Sequence, residues 1–233
     1  TVNPDFSQVE ADARNLDINR NFALFYPEKR PFFMEGADFF NNPLDLVYTR
    51  VVRDPSWGLK LTGKELGNTV GAYVVEDDLT NLLIPGSQGS RATTLEQPST
   101  ATVLRYRRDF GDRFTVGALL TDRESEDYFN RLVSVDGDLR LSDTDRLLIQ
   151  AAGSSTRYPE QVAKDFGQRQ EELEDWAMGI GYSHTTRNVN LWTGARDFGA
   201  DFRADMGFVP QVDYRRFHAG GDYTWIPGGD TWY

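Results

Sequence analysis

The amino-acid sequence predicts an all-β protein: part of an antiparallel, up-and-down transmembrane β-barrel, preceded by an irregular N-terminal segment. Short turns alternate regularly with long polar connections, and the runs between them alternate apolar with polar residues. No apolar run reaches the roughly 18 residues that a membrane helix requires. A barrel strand spans with about 9–11 alternating residues, so a mean hydropathy of −0.54 is compatible with this fold.

Composition excludes several classes of function. The chain has 233 residues, with 25 basic and 36 acidic residues and a net charge of −11. Nucleic-acid binding normally requires a basic face, so no nucleic-acid partner is expected. Cysteine is absent, which excludes disulfides, thiol catalysis and cysteine-ligated metals. The 21 glycines and 13% aromatic residues favour β-structure, and they also suit a soluble β-domain.

Residues 1–45 are expected to form one unit, a plug or anchor, and residues 46–233 an array of β-hairpins. The stretch Phe25–Gly36 combines aromatic rings, two prolines and four charges, and no helix or strand period explains it. Before Pro27 either a short helix or a strand fits the residues, and both remain open. A further helical turn is expected over Met34–Phe40.

The charged residues of this unit have two interpretations. Two carboxyl groups about 5–10 Å apart, one with a raised pKa, hydrolyse glycosidic bonds, and Glu10, Glu28 and Glu35 are the candidates. Ion pairing against a polar barrel wall is the preferred interpretation, because Lys29 and Arg30 directly follow Glu28. The candidate functional or structural residues of the unit are Asn3, Asp5, Glu10, Asp12, Glu28, Lys29, Arg30 and Glu35.

The hairpin array begins with the β-branched run Val47–Arg53, which is expected to be extended. Short turns are predicted from their Gly, Asn, Asp and Ser residues at Glu65–Asn68, Asp109–Asp112, Ser142–Asp145, Thr185–Asn188 and Pro227–Asp230. Longer polar connections are predicted at about Glu76–Ser99, Asp122–Asn130, Ser155–Asp175 and Arg196–Asp213. This alternation is typical of outer-membrane barrels, which have short periplasmic turns and long extracellular loops.

Each predicted strand has one apolar face and one small or charged face. Val133 and Val135, for example, alternate with Ser134 and Asp136. The residues expected to line the lumen are Arg113, Asp136, Asp138, Arg140 and Gln150. Aromatic residues near the short turns predict an interfacial girdle, formed by Tyr106, Phe110, Phe114, Tyr182, Tyr223, Trp225 and Trp232.

No catalytic residue, metal site or cofactor is predicted. The run Asp136–Asp138 with Asp143 and Asp145 faintly resembles a calcium loop, but it lacks the terminal bidentate Glu and crosses a predicted turn. His184 and His218 are isolated and have no partner at metal-ligand spacing.

Several stretches resemble the DUF5916 family of bacterial envelope proteins. They are Asn3–Asp12, Phe25–Phe39, Tyr48–Arg50, Gly58–Lys64 and Thr80–Ser90. The resemblance implies a C-terminal barrel in the bacterial outer membrane. Many members carry an upstream family 9 carbohydrate-binding-like domain, which implies a link to carbohydrate by association. The family supplies no established catalytic residues.

These observations favour a non-enzymatic outer-membrane barrel, a channel or uptake component for carbohydrate or other small solutes. Its expected partners are outer-membrane lipid, lipopolysaccharide and a small-molecule or glycan solute. The alternatives are a barrel-anchored glycan hydrolase that uses the N-terminal carboxylates, and a soluble β-domain for protein contacts. About ten strands and the start of another would leave two bare sheet edges, so we expect further strands to complete the barrel.

Overall fold

The computed structural model describes residues 25–225, which form a nine-stranded antiparallel sheet and a separate two-stranded hairpin. The order in the large sheet is β1-β2-β5-β6-β7-β8-β9-β10-β11, so sequence neighbours pair throughout except where the β3–β4 hairpin intervenes. Within the described residues no pairing joins β1 to β11. The predicted all-β, antiparallel, up-and-down architecture is confirmed, and the open array is consistent with part of a barrel. The strands are β1 Pro55–Glu65, β2 Asn68–Asp77, β3 Thr80–Pro85, β4 Ser90–Leu95, β5 Ser99–Phe110, β6 Phe114–Glu124, β7 Phe129–Arg140, β8 Asp145–Arg157, β9 Leu173–Thr185, β10 Val189–Phe198 and β11 Tyr214–Tyr223.

The helices are short and lie outside the sheet. The single-turn helix α1 spans Pro31–Met34, and two 3-10 helices follow at Ala37–Phe40 and Thr49–Val51. Helix α2, Glu160–Phe166, ends at Gly167, whose φ of 65° permits the left-handed cap. Among the described residues, no helix combines the length and apolar character required to cross a membrane.

The predicted short turns within residues 25–225 all connect paired strands. In the β1–β2 turn, Leu66 and Gly67 have φ values of 48° and 78°. Two successive positive φ values are typical of a type I′ turn, whose twist matches that of the flanking strands. We call the edge of the sheet that carries these turns the short-turn end, and the opposite edge the long-connection end.

Three predicted stretches differ from the structure. Val47–Arg53 is not a strand, because its centre winds into a 3-10 helix and only Val52 makes a single β-bridge, to Thr80. The predicted loop Glu76–Ser99 contains the β3–β4 hairpin, whose alternating apolar residues are buried. The predicted loop Ser155–Asp175 contains α2, which buries an apolar stripe. The segment before Phe25, the turn Pro227–Asp230 and Trp232 lie outside the described residues.

The two faces of the large sheet differ in burial and polarity. Along β2 the inward residues are buried, and along β1 the outward Leu59 and Leu61 are 69% and 65% exposed. The same alternation continues across the sheet, so one face carries a wide band of exposed apolar side chains. Members of this band include Trp57, Leu59, Leu61, Leu104, Val116, Leu120, Val133, Val135, Ile149, Trp176, Met178 and Ile180.

The core lies on the inner face, not between two layers of sheet. It is filled by residues 25–54, which we call the insert, and by residues 199–213, the β10–β11 connection, which we call the strap. Their buried apolar side chains form one cluster with inward residues of the strands. A second, smaller cluster lies at the long-connection end, where the β3–β4 hairpin packs on α2 and on two buried tyrosines.

Candidate functional site: the filled inner face

The insert is held against the first strands by side chains that reach its backbone carbonyls. Lys60 of β1 donates from Nζ to the carbonyl oxygens of Phe32 and Phe33, at 3.0 and 3.2 Å. Arg105 of β5 donates from Nη2 to the carbonyl oxygen of Asn41, at 3.4 Å. These contacts replace hydrogen bonds that an irregular segment cannot make internally.

The insert also reaches the far side of the sheet. Gln150 of β8 accepts a hydrogen bond from the backbone N–H of Leu44 at 2.8 Å. Arg196 of β10 donates from Nη2 to the carbonyl oxygen of Pro43 at 3.2 Å. Since β1 and β5 lie on one side of β7 and β8 and β10 lie on the other, the insert spans the inner face from β1 to β10.

Glycines on the inner face make room for insert side chains. A Cβ added to Gly71 would stand 3.0 Å from the ring of Phe40, and one added to Gly179 would stand 2.7 Å from Cδ2 of Leu44. Real Cβ atoms rarely approach other atoms so closely. The side chains of the insert therefore sit in shallow pits above glycine backbone.

Arg105 and Asp136 join β5 to β7 by an ion pair that passes over β6. Arg105 Nη2 lies 2.9 Å from Asp136 Oδ2, and both side chains are almost fully buried. The pair passes over Gly117 of β6, where a Cβ would stand 2.7 Å from Arg105 Nη1. Asp136, which the sequence predicts to face the lumen, thus lies on the inner face. It fixes the guanidinium of Arg105, which holds the insert.

Within the insert, Glu28 and Arg30 form a second buried pair. Arg30 Nη2 lies 2.7 Å from Glu28 Oε2, and the Thr49 hydroxyl donates to the same oxygen at 2.6 Å. Arg30 Nη1 also donates to the carbonyl oxygen of Val52 at 2.7 Å. This network ties the start of the insert to its end.

The pKa of Glu28 follows from these contacts. Burial alone would raise it, but the hydrogen bonds from Arg30 and Thr49 and the charge of Arg30 together lower the pKa from 4.5 to about 2. Glu28 is therefore ionised at neutral pH and does not suit a general acid. Lys29 and Glu35 are exposed, and Asn3, Asp5, Glu10 and Asp12 lie outside the described residues.

A third ion pair, Asp77 with Arg123, was not predicted from the sequence. Both side chains are 0% exposed, and Arg123 Nη2 lies 3.0 Å from Asp77 Oδ2. Asp77 also accepts hydrogen bonds from the backbone N–H groups of Arg53 and Asp54, where the insert joins β1. Strand alternation places Arg123 on the inner face, but the sequence does not identify its partner 46 residues away.

The strap pins the insert at the long-connection end. The backbone N–H of Tyr48 donates to the carbonyl oxygen of Met206 at 2.7 Å, and that of Phe208 donates to the carbonyl oxygen of Asp45 at 2.8 Å. The ring centroids of Phe25 and Phe208 lie 5.4 Å apart. Both ends of the insert therefore lie at the long-connection end, where the strap covers it.

Two tyrosines clamp the strap through Asp205. Tyr128 donates to Asp205 Oδ2 at 2.8 Å and Tyr158 donates to Oδ1 at 3.0 Å, with the two rings nearly parallel. Burial raises the pKa of Asp205, and also raises the pKa of both tyrosines well above 10. The sequence contains no local signal that would group these three residues, because they belong to three different connections between strands.

The remaining predicted lumen residues lie nearer the short-turn end than the insert does. Asp138 Oδ1 accepts from Arg146 Nε at 2.8 Å. Arg113 and Arg140 are exposed at the β5–β6 and β7–β8 turns. Gln150 contacts the insert directly, and Asp136 contacts it through Arg105. Among the hydrogen bonds of the described residues, none joins Asp138, Arg113 or Arg140 to the insert. Within residues 25–225, no three acidic or histidine side chains converge as metal ligands would.

Aromatic side chains project outward near the short turns. Phe110 and Phe114 stack across the β5–β6 turn with centroids 5.7 Å apart. Tyr106 and Tyr223 are exposed on the same face, and Trp225 follows the end of β11. At the long-connection end the exposed Trp57 and Trp176 occupy comparable outward positions.

Comparison with known proteins supports the family resemblance over part of the chain. Residues 1–70 match the family model "Domain of unknown function (DUF5916)", so the predicted resemblance is confirmed there. The chain matches no curated protein. Among solved structures it is similar to OmpTdeltaL8, a loop L8 deletion mutant of OmpT, an outer membrane protein of Vibrio cholerae, with 12% identity and a TM-score of 0.44. It is also similar to outer-membrane expressed OmpT of Vibrio cholerae, with 12% identity and a TM-score of 0.43. The matches cover 76% of this chain and 56% and 59% of those chains, so this chain spans less than two thirds of their length.

Proposed function

With residues 1–70 matching DUF5916 as the premise, we propose that the chain is part of the wall of a bacterial outer-membrane β-barrel. In this proposal the insert is a plug on the inner face, and the protein is an uptake component for small solutes, including carbohydrates. The plug then extends past the boundary predicted at residue 45, because the insert reaches residue 54 and the wall begins with β1 at Pro55.

The observation that carries the proposal is that the exposed face of the sheet is apolar and the covered face contains buried charges, which is the reverse of a soluble protein. Large apolar side chains cover the outer face and are exposed, whereas buried ion pairs and the Gln150 amide lie on the inner face. A soluble protein seldom exposes so wide a contiguous apolar surface. The same surface is stable against lipid, because barrel strands alternate apolar outward with polar inward residues.

The dimensions of the apolar band support a lipid environment. Along β9 it runs from Trp176 through Met178 and Ile180 to Tyr182, about 20 Å at 3.3 Å per residue. Outer-membrane barrels have an apolar band about 25 Å tall between aromatic girdles. Phospholipid and lipopolysaccharide acyl chains are the partners that this surface would contact.

On the inner side, the insert and the strap would obstruct solute passage at the long-connection end. Below them, the exposed or half-buried charged groups that would set selectivity by charge and spacing are Arg113, Asp138, Arg140 and Arg146. Asp136 orients Arg105, which bonds to the insert, and Gln150 accepts a hydrogen bond from Leu44 of the insert. Displacing the insert would therefore expose both at once.

Cell fractionation tests the membrane location. The full-length protein should be recovered in the outer-membrane fraction and should migrate faster on SDS gels before boiling than after it. Recovery in a soluble fraction, with identical migration of heated and unheated samples, would contradict the proposal and favour the soluble β-domain.

A disulfide between insert and wall tests the plug. The chain contains no cysteine, so Leu44→Cys with Gly179→Cys creates the only pair, at a site where the two side chains would meet. Single-channel recording should show lower conductance when the pair is oxidised than when it is reduced. Each single variant is the matched control and should not respond to reductant. Conductance that is identical in both redox states would contradict the plug.

A further inference from the structure

Trp192 carries a large aromatic ring on the inner face that neither the insert nor the strap covers. Trp192 shares its face of β10 with Arg196, which holds the insert, and with Phe198, which is buried in the core. Trp192 is nevertheless 42% exposed. It lies three residues from the start of β10, at the short-turn end, beyond the reach of the insert contacts.

An exposed tryptophan on this face is not explained by lipid. The outward aromatic residues face the proposed bilayer, and other inner-face aromatics, such as Tyr73 and Phe198, are buried in the core. Leaving a large apolar ring in water gives up the free energy of burial. In the part of the chain that the structure describes, the ring is therefore accessible to a ligand.

Glycine backbone supports the Trp192 ring on one side. Gly220 of β11 pairs directly with Trp192, and a Cβ there would stand 2.5 Å from Cζ2 of the indole. The indole therefore lies against the backbone of β11. Gly194, two residues along β10, lies under the imidazole of His218 in the same manner.

Polar groups flank the ring on its other side. Ser183 of β9 pairs with Trp192, and Arg146 of β8 pairs with Ser183, so the three side chains form a row across neighbouring strands. Arg146 is half exposed and makes an ion pair with Asp138. The row thus offers an aromatic face, a hydroxyl, and a guanidinium whose charge is balanced by a carboxylate.

We propose that Trp192, Ser183 and the Arg146–Asp138 pair form a binding subsite for a neutral, ring-shaped, polyhydroxylated solute, which is a sugar. The negative face of an indole attracts the positive edge of C–H groups on a flat ring face. Hydroxyl groups both donate and accept, and therefore suit a site that contains Ser, Asp and Arg. The balanced ion pair offers no net charge to select an ion. This inference rests on the proposed uptake function and names its substrate class.

Isothermal titration calorimetry of the full-length protein in detergent tests the subsite, because binding is then measured without a membrane. The probes are maltotetraose and, as a ring-free polyol, sorbitol. Maltotetraose should bind at least tenfold more tightly than sorbitol. Trp192→Ala should weaken maltotetraose binding at least tenfold, and Trp192→Phe should retain most of it. The matched control Trp176→Ala removes an outer-face tryptophan of similar exposure and should bind as the wild type does.

The outcomes separate the two proposals. Equal binding by wild type and Trp192→Ala, or the absence of maltotetraose binding by a protein that is recovered in the outer membrane and conducts, overturns the subsite and leaves the barrel proposal intact. Recovery in a soluble fraction overturns the barrel proposal whatever the titration shows. Heat-modifiable migration of each variant establishes that it is folded, so that loss of binding reports on the subsite.

Discussion

Arg105 and Asp136 pair across an intervening strand, and their contact lies directly over Gly117. Ladder hydrogen bonds already join β5 to β6 and β6 to β7, so the ion pair adds a connection that skips one strand. It also orients Arg105 toward the insert carbonyl at Asn41. One glycine on β6 therefore influences both the sheet and the seating of the insert.

Replacing Gly117 with alanine should disrupt this pair. The new Cβ would stand 2.7 Å from atoms of both Arg105 and Asp136, and overpacking of this kind costs about 1–3 kcal/mol. Urea unfolding of the refolded protein in detergent measures this loss of unfolding free energy. Gly181→Ala is the matched control, because a Cβ there meets nothing within 4 Å. Equal stability of the two variants would show that the ion pair tolerates the methyl group.

Enlarging Gly179 should unseat the insert and leave the wall intact. Valine at this position would displace the Leu44 side chain from its pit, which weakens one of the contacts on the far side of the sheet. We expect higher mean conductance and faster trypsin cleavage at Lys29, with unchanged recovery in the outer membrane. Gly181→Val serves as the control, and the same rise in conductance in both variants would argue against a specific pit.

Stability should depend on the ionisation of Glu28 at acid pH. Its folded-state pKa of about 2 is below the ordinary glutamate value of 4.5, so the folded state binds fewer protons than the unfolded state. The stabilisation that ionised Glu28 gives the folded state is fully present above pH 4.5, and it decreases as the pH falls toward 2. The difference in unfolding free energy between wild type and Glu28→Gln should follow this course. The exposed Glu35 provides the control substitution, Glu35→Gln, whose difference should remain small at every pH.

Removing one hydroxyl from the tyrosine clamp should loosen the strap. Tyr128→Phe leaves one oxygen of the buried Asp205 without a donor, which costs about 1–3 kcal/mol. Amide hydrogen exchange should accelerate across residues 199–213 and at Tyr48, whose N–H bonds to the strap. Tyr106→Phe, on the outer face, should leave exchange in the strap unchanged. Protection of the strap that persists in Tyr128→Phe would show that the clamp is dispensable.

The hairpin array was predictable from the sequence because its signals are local. Turn residues such as Gly67 and Gly111 and the two-residue alternation of the strands each act within a few positions. The seating of the insert was not predictable, since Leu44 and Gln150 meet across 106 residues. The β3–β4 hairpin was missed because the polar residues of β4, such as Thr93 and Thr94, resemble those of a loop. The Asp205 clamp depends on three connections converging, which no single stretch reveals.

Both ends of the insert lie at the same mouth of the inner face, since Phe25 lies beside Phe208 and Val52 bridges to Thr80. A segment that enters and leaves at one edge of the sheet can be seated after the strands have paired, because its two ends stay at that edge. Assembly can therefore proceed in the order of sheet first and insert second. The reverse movement, withdrawal of the loop as a unit, requires neither unfolding of β1 nor separation of any strand pair.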